Sequence, residues 1–205
     1  MKIGILALQG DFAEHLQAIE HCGVQGTLVR RSTQLEDIDG LIIPGGESTA
    51  IARLTNADNT IFDTIKNKIK SGMPVYGTCM GAIFLANEIE GSTQGRLGLM
   101  DIKIRRNGFG PQKASFESNI DVPCLATNGL NSEPFHAVFI RAPLILSCAP
   151  TVTVLAELDP ITEGSIIMAR QNNMLVSTFH PELTGDLRIH QYFLSMIQQT
   201  NSRTS

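Results

Sequence analysis

The chain has 205 residues, of which 42% are hydrophobic and 18% are charged, and its formal net charge is −4. This composition argues against disorder, and the length suits one sizeable domain with a full core. A weak negative charge without a basic patch gives no reason to expect nucleic acid or an acidic membrane as a partner. The four cysteines form no Cys-x-x-Cys pair and have no histidine at metal-ligand spacing, so neither a zinc site nor a disulfide framework is predicted.

The chain is predicted to start with a strand, over residues 2–8, and not with a signal peptide. Its apolar run is short, meets Gln9, Gly10 and Asp11, and has no cleavage-site pattern. The run is also too short to span a bilayer. We therefore expect a cytoplasmic protein.

Short apolar runs then alternate with helical periodicity, which predicts an α/β fold with a mainly parallel open sheet and helices on both faces. Strands are predicted over residues 27–29, 41–43, 97–104, 137–140, 152–155, 166–169 and 175–179. Helices are predicted over residues 11–22 (Phe12, Leu16 and Ile19 on one face), from about 48, over 61–69, and over 187–197 (Ile189, Phe193 and Ile197 on one face). We expect residues 1–199 to form a single domain, and residues 200–205 to form a polar tail that is frayed from Thr200.

The strand predicted over residues 41–43 ends in the turn Pro44-Gly45-Gly46, ahead of a predicted helix start at Ser48. Glycine leaves backbone N–H groups unencumbered, so they can approach a ligand closely. One donor from this turn and one from the amide of Met80 could together form an oxyanion hole. Taken alone, the segment also fits a simple strand-to-helix turn that is capped by Ser48.

A cysteine lies between two glycines in Gly77-Thr78-Cys79-Met80-Gly81, after an apolar run and before a helix-like segment over residues 82–88. This is the sequence form of a nucleophile elbow, in which glycines two residues to either side avoid a clash with the strand or the helix. The positive end of the following helix would favour the thiolate, which is the form that attacks. Glycine-flanked cysteines also occur in plain turns, so the interpretation depends on the partners of Cys79.

A base for this cysteine is available in His180-Pro181-Glu182, directly after the strand predicted over residues 175–179. Proline favours extended backbone at His180, and residues two apart in an extended chain point to the same side. The carboxylate of Glu182 is therefore expected beside the imidazole, fixing its tautomer and leaving the other ring nitrogen facing the sulfur. A lone histidine next to a proline is more often structural, but together with the elbow the catalytic interpretation is favoured. Ligands of open α/β sheets lie beyond the carboxyl ends of the strands, which is where the three segments are predicted to meet.

These motifs resemble those of the triad (class I) glutamine amidotransferases, and specifically those of the glutaminase subunits of pyridoxal 5′-phosphate synthase. The resemblance runs almost from end to end, over residues 3–10, 44–49, 77–81, 106–107, 109–110, 112, 115–117, 139–143 and 179–184. The elbow and His-x-Glu are shared by many amidotransferases, whereas Gly-Gly-Glu-Ser-Thr, Ser-Phe-Glu and Phe-Ile-Arg-Ala-Pro are much narrower. Those narrower motifs select the subfamily.

The resemblance implies a flavodoxin-like class I amidotransferase fold and a role for each matching residue. Cys79 would be the nucleophile, His180 the general base and acid, and Glu182 the orienting carboxylate. Glutamine would be held by residues that match the family's binding positions, namely Gly46, Glu47, Ser48, Arg106, Ile140 and Arg141. Oxyanion donors would come from Gly45 or Gly46 and from Met80. Neither a metal nor an organic cofactor is required.

The activity that the resemblance implies is hydrolysis of L-glutamine to L-glutamate and ammonia through a γ-glutamyl thioester. Ammonia that is protonated in water loses its nucleophilicity, so it must pass directly to an acceptor site, and the chain has no obvious second catalytic domain. The resemblance implies a separate (β/α)₈-barrel subunit that builds pyridoxal 5′-phosphate. It also implies a glutaminase that is poorly active until it docks on that subunit.

Three other interpretations stay open at this point. The chain could be the glutaminase of another synthase, such as imidazole glycerol phosphate synthase, or a peptidase or DJ-1-like cysteine hydrolase that shares the elbow. It could also be a non-catalytic scaffold subunit. Three positions depart from the family pattern: Met80 is bulkier than the alanine often found there, and Gly108 and Pro111 alter the segment around Phe109.

Overall fold

The computed structural model describes residues 1–46, 59–110, 115–158 and 165–204. The strands are β1 (Lys2–Leu6), β2 (Gln25–Val29), β3 (Gly40–Ile43), β4 (Val75–Thr78), β5 (Ala86–Ile89), β6 (Met100–Arg105), β7 (Ser115–Ile120), β8 (Phe135–Ile140), β9 (Leu144–Cys148), β10 (Thr153–Glu157), β11 (Ile166–Gln171) and β12 (Met174–Ser177). The helices are α1 (Phe12–His21), α2 (Asn59–Lys70), α3 (Met80–Leu85), α4 (Pro123–Thr127) and α5 (Arg188–Thr204). Short 3₁₀ turns cover Ser32–Leu35 and Pro181–Leu183.

The main sheet has the strand order β2-β1-β3-β4-β12-β11-β9-β6-β5, with β10 paired to β11. The first five strands of this order are all parallel to one another. Antiparallel pairing begins at β11 and continues through β9 to β6. The predicted mainly parallel open sheet is therefore confirmed for the five strands from β2 to β12, and the other half of the sheet is mostly antiparallel.

Helices cover both faces of this sheet because successive side chains on each central strand point to opposite sides. In β3, Leu41 and Ile43 pack in one apolar cluster with α2 and α3, whereas Ile42 packs in the other cluster with α1 and α5. The predicted helical faces are confirmed at both ends of the chain, since Ile19 and Phe193 are fully buried. No helix in the described part of the chain is long and apolar enough to cross a bilayer.

Several local predictions differ from the structure. The helix predicted over residues 82–88 instead spans Met80–Leu85, and the chain passes at once into β5, which pairs with β6. The sequence also gave no indication of β7, α4 or β9. Helix α5 continues to Thr204, past the predicted start of a frayed tail at Thr200, and the Thr200 hydroxyl donates to the carbonyl of Met196 at 3.0 Å. The helix predicted from about Ser48 lies outside the described residues.

A separate two-stranded sheet, formed by β7 and β8, supports the end of β12. Phe139 on β8 stacks on Phe116 of β7 and also contacts Phe179, with ring centroids 4.5 Å and 5.8 Å apart respectively. The N–H of His180 donates to the carbonyl of Val138 at 2.8 Å. The aromatic cluster and this hydrogen bond fix the backbone from which the imidazole of His180 projects.

Candidate active site

Four neighbouring parallel strands end at the same edge of the sheet, and each is followed by a residue that could take part in catalysis. Asp11 follows β1, Gly45 follows β3, Cys79 follows β4, and His180 follows β12. These strands are adjacent in the order β1-β3-β4-β12, so the four residues meet beyond their carboxyl ends. The predicted convergence of the glycine turn, the cysteine and the histidine is thus confirmed.

Cys79 has the strained backbone of an elbow, with φ of 47° and ψ of −100°. A non-glycine residue in this region costs of order 1–3 kcal/mol, which the surrounding structure must offset. The flanking glycines are sterically required: a Cβ on Gly77 would lie 2.6 Å from the carbonyl of Gly81, and one on Gly81 would lie 2.1 Å from the carbonyl oxygen of Ile43. The side chain of Cys79 is almost buried, and its Sγ lies 3.9 Å from the carbonyl oxygen of Ile140.

The imidazole of His180 lies between the cysteine and a carboxylate. Its Nδ1 is 2.8 Å from Oε1 of Glu182, and both side chains are buried. Burial pulls the pKa of His180 down, but hydrogen bonds to Asp11, Cys79 and Glu182 outweigh it and raise the pKa to about 12. Burial raises the pKa of Glu182, and the hydrogen bond from His180 opposes that effect. The geometry leaves Nε2 of His180 for the sulfur, as the sequence spacing predicts.

Asp11 is a second carboxylate beside the same imidazole, and the sequence analysis assigned it no role. Its Oδ2 lies 3.4 Å from Nδ1 of His180, and the hydrogen bond to His180 lowers the pKa of Asp11. Ligand-type atoms of Asp11, His180 and Glu182 lie within 4.8 Å of one another, close enough in principle to hold a cation. Hydrogen bonding to one shared imidazole is sufficient to explain the cluster. Its position shortly after the first strand, at the edge where ligands of such sheets bind, could have indicated this role.

Behind Glu182 lies a fully buried polar cluster that the sequence analysis also missed. Nε2 of His15 is 3.3 Å from Oε2 of Glu182 and 3.1 Å from Oγ1 of Thr78, and Nδ1 of His15 is 3.0 Å from Nε2 of His190. Burial lowers the pKa of His190 to about 4 and that of His15 well below its usual value. Both histidines are therefore neutral at physiological pH.

A cavity of about 320 Å³ opens onto Cys79 and His180. Its lining includes five of the residues predicted to bind glutamine or to supply oxyanion donors: Gly46, Met80, Arg106, Ile140 and Arg141. Asn107 and Arg141 have φ of 47° and 44°, so together with Cys79 three strained non-glycine residues line one small cavity. Such strain concentrates at functional sites, and this volume suits a small molecule. Glu47 and Ser48 lie outside the described residues.

The predicted oxyanion donors differ in whether their backbone N–H groups already have a hydrogen-bond acceptor. The N–H of Gly45 donates to Oγ1 of Thr78 at 3.0 Å, so in this conformation it is not available to a substrate oxygen. Gly46 has φ of 143° and packs closely on the side chain of Gln9. Met80 is the first residue of α3, where the backbone N–H has no acceptor within its own helix. Gly46 and Met80 therefore remain the candidate donors.

Two of the middle-segment residues also have defined neighbours. Nη1 of Arg106 donates to Oε1 of Gln94 at 2.9 Å, which places its guanidinium at the wall of the cavity. A Cβ on Gly108 would lie 2.5 Å from Cγ of Leu144, so the glycine at this departure from the family pattern permits a close approach of two segments. Pro111 lies outside the described residues.

Comparison with known proteins finds chains that are similar over nearly the whole length of this one. The profile of the SNO glutamine amidotransferase family matches residues 5–199. A pyridoxal 5′-phosphate synthase subunit PdxT from Carboxydothermus hydrogenoformans is 52% identical, over 96% of this chain and 98% of its own. A subunit of the same name from Moorella thermoacetica is 50% identical, over 96% of this chain and 100% of its own. A crystal structure described as a glutamine amidotransferase has a TM-score of 0.86 at 42% identity, covering 96% of this chain and 98% of that one.

Proposed function

Because the chain belongs to the SNO glutamine amidotransferase family, we propose that it hydrolyses L-glutamine to L-glutamate and ammonia as the glutaminase subunit of a pyridoxal 5′-phosphate synthase. The observation that carries the proposal is the aligned set of Cys79, His180 and Glu182 at the mouth of a small cavity. The cysteine has the backbone of an elbow, and the imidazole is 2.8 Å from the carboxylate. A scaffold subunit would have no use for a strained cysteine in that place.

The first half of the reaction forms a thioester. His180, whose pKa is raised, holds the proton drawn from the thiol of Cys79, and the thiolate attacks the side-chain amide carbon of glutamine. The negative charge on the amide oxygen is held by backbone N–H donors, for which Gly46 and Met80 are the candidates. When the tetrahedral intermediate collapses, the C–N bond breaks and His180 returns the proton to the departing ammonia.

The second half of the reaction releases glutamate. Water gives a proton to His180 and attacks the thioester carbon, and the C–S bond breaks with return of that proton to Cys79. Glu182 stays ionised and holds the imidazole in one tautomer throughout. These steps use the chain's own groups and water.

The cavity contains groups that suit a free amino acid. The guanidinium of Arg106 or Arg141 can donate two parallel hydrogen bonds to the α-carboxylate of glutamine. The carbonyl oxygen of Ile140 lies 3.9 Å from Sγ of Cys79, next to the reacting atom. Glu47 and Ser48, which match family positions that hold glutamine, complete the proposed substrate site.

The engagement of Gly45 by Thr78 supports the expectation that the free chain is a poor glutaminase. With that N–H engaged, the glycine turn is left with the N–H of Gly46 as its donor to the oxyanion. We expect docking on the synthase subunit to reorient the peptide between Pro44 and Gly45, which carries that N–H. Ile140 lines the cavity, Leu183 follows Glu182 in sequence, and the exposed apolar side chains of both suit a protein partner.

The proposed partner is another subunit of a pyridoxal 5′-phosphate synthase, the enzyme in the names of the curated relatives. The family resemblance implies that this subunit is a (β/α)₈ barrel that uses the ammonia. The ammonia must reach it without meeting bulk water, because protonation removes its nucleophilicity. The proposed place of action is the cytoplasm.

Glutamate release, measured with and without the barrel subunit, tests this function. We expect the complex to be much faster than the chain alone, and Cys79→Ala to abolish turnover while ammonium salt still supports synthesis by the barrel subunit. Restoration of ammonia transfer only by an imidazole glycerol phosphate synthase barrel would point to the other synthase. Cleavage of peptides without glutamine turnover would point to a different cysteine hydrolase.

A further inference from the structure

Three fully buried polar side chains, none of them in the triad, form a connected cluster behind the catalytic carboxylate. His190 comes from α5, His15 from α1, and Thr78 from the end of β4, and none of them is exposed. Atoms of His15 lie within 3.3 Å of Glu182, His190 and Thr78 alike. Oγ1 of Thr78 in turn accepts the hydrogen bond from the N–H of Gly45. The cluster therefore touches both the triad and the glycine turn.

The electrostatics of the cluster select one tautomer of His15. The ring is neutral because it is buried, so one of its nitrogens carries a proton and the other does not. An unprotonated Nε2 would aim its lone pair at a carboxylate oxygen 3.3 Å away, which is repulsive. A protonated Nε2 is attracted to that oxygen and also donates to Thr78, its better-aligned acceptor. The proton of His15 is therefore on Nε2.

His190 makes this tautomer self-consistent. With the proton of His15 on Nε2, Nδ1 of His15 is an acceptor, so Nε2 of His190 must donate to it over the 3.0 Å contact. The remaining Nδ1 of His190 is then unprotonated, and this atom has no hydrogen-bond partner. The opposite assignment would place a buried N–H donor without an acceptor at Nδ1 of His190, which is the more costly arrangement.

We propose that His15, with its tautomer fixed by His190, is a positioning residue that presents its Nε2–H to Glu182 and Thr78. It thereby couples the triad carboxylate to the glycine turn. The inference rests on the proposed role of Glu182 in the triad. It adds three residues that support Glu182: His15 from α1, His190 from α5 and Thr78 from β4.

The contact gives Glu182 a donor on the side that His180 does not reach. Oε1 of Glu182 faces His180, while Oε2 is buried, has no fully aligned hydrogen bond and lies 3.3 Å from Nε2 of His15. A nearby N–H stabilises the ionised carboxylate against burial, which favours the neutral form. The other titratable groups that interact with this carboxylate are His180, Asp11 and Tyr76. Cys79 contacts His180, and His190 contacts His15.

The test compares His15→Leu, which removes the donor, with His15→Gln, which keeps an N–H near the position of Nε2. His21→Leu is the matched control, because His21 is an exposed histidine at the end of the same helix. The first readout is the rate at which iodoacetamide alkylates Cys79 in the full chain across pH, resolved from the other cysteines by peptide mass spectrometry. The second readout is kcat and KM for glutamine in the complex with the barrel subunit.

We expect His15→Leu to move the acid midpoint of Cys79 alkylation up by about one pH unit, since a less stable carboxylate protonates sooner and supports the imidazolium less. The same variant should lower kcat and leave KM nearly unchanged. His15→Gln should recover most of the midpoint, and His21→Leu should match the unmodified chain.

An unmoved midpoint in His15→Leu, or equal shifts in the leucine and glutamine variants, would overturn the proposal. If His15→Leu does not fold, His190→Leu provides the same test, because freeing the tautomer of His15 should shift the midpoint in the same direction by a smaller amount. An unmoved midpoint there also counts against the proposal. Alkylation needs no glutamine, so a shifted profile in a chain that releases no glutamate would refute the glutaminase function and leave the positioning role standing.

Discussion

Gly45 lies directly against the imidazole of His180, so that a Cβ on this glycine would be 2.5 Å from Cε1 and 3.4 Å from Cβ of Cys79. The histidine is buried between the glycine turn, the cysteine and two carboxylates, so a Cβ on Gly45 would press directly on its ring. The turn between β3 and the following segment therefore sets the position of the general base as well as supplying backbone donors.

Replacing Gly45 with alanine should impair catalysis far more than folding. The added methyl group displaces the ring of His180 from Cys79, and a misplacement of about 1 Å in a catalytic group can cost on the order of 100-fold in rate. We expect kcat in the complex to fall by at least that factor. Gly185→Ala is the matched control, because a Cβ there meets no atom within 4 Å. Normal turnover in Gly45→Ala would show that the base is not held in this way.

The strain at Cys79 predicts a trade of stability for activity. Glycine tolerates φ of 47° without steric cost, whereas alanine does not. Cys79→Gly should therefore be more stable than Cys79→Ala by about 1 kcal/mol, although both variants lose glutaminase activity. Urea unfolding of the two variants measures the difference. Equal midpoints would mean that the elbow stores little strain.

The buried histidines predict a loss of stability in mild acid. Burial holds the pKa of His190 at about 4, below its unfolded value of about 6.5. Between these values the unfolded chain takes up a proton that the folded chain does not. Each such group therefore lowers the free energy of unfolding by about 1.4 kcal/mol per pH unit as pH falls.

Removing one of these groups should flatten that dependence. In His190→Leu the slope of unfolding free energy between pH 6.5 and pH 4 should decrease by about 1.4 kcal/mol per pH unit. Urea unfolding at several pH values measures the slope, and the exposed His21→Leu should leave it unchanged. An unaltered slope in His190→Leu would mean that this histidine takes up its proton while folded.

Arg106 and its neighbour Arg105 provide a paired test of glutamine binding. Arg106 lines the cavity, whereas Arg105 is exposed and pairs with Glu90. If Arg106 holds the α-carboxylate, Arg106→Leu should raise KM for glutamine by about 10-fold to 100-fold, the value of a charged hydrogen bond of about 1.5–3 kcal/mol. Arg105→Leu should leave KM unchanged. Steady-state glutamate release in the complex distinguishes the two, and equal KM values in both variants would assign the carboxylate to another group, with Arg141 as the next candidate.

The parts of the site that could be predicted from sequence are those encoded in short segments. The elbow is a five-residue pattern whose two glycines avoid local clashes. The proximity of His180 and Glu182 follows from extended backbone at the residue before Pro181. The order of strands and helices placed the glycine turn, the cysteine and the histidine at one edge of the sheet. Helix α3 was predicted over residues 82–88 instead of Met80–Leu85, because the pairing of residues 86–89 with β6 is a tertiary contact that local composition does not reveal.

Interactions between distant segments were not predictable in this way. Asp11 reaches His180 across most of the chain, and His15 meets His190 at a separation of 175 residues. A lone histidine on an amphipathic helix carries no sign of which buried group it will face. The capture of the Gly45 N–H by Thr78 likewise depends on how β3 and β4 pair.

The sequence by itself determined which residues can act as nucleophile, base and orienting carboxylate, because local backbone geometry and side-chain chemistry depend on residues that are neighbours in the chain. Only the tertiary structure decided how that carboxylate is supported and which backbone donors are engaged. Both depend on distances of about 3 Å between groups that are far apart in the chain, and packing alone fixes such distances.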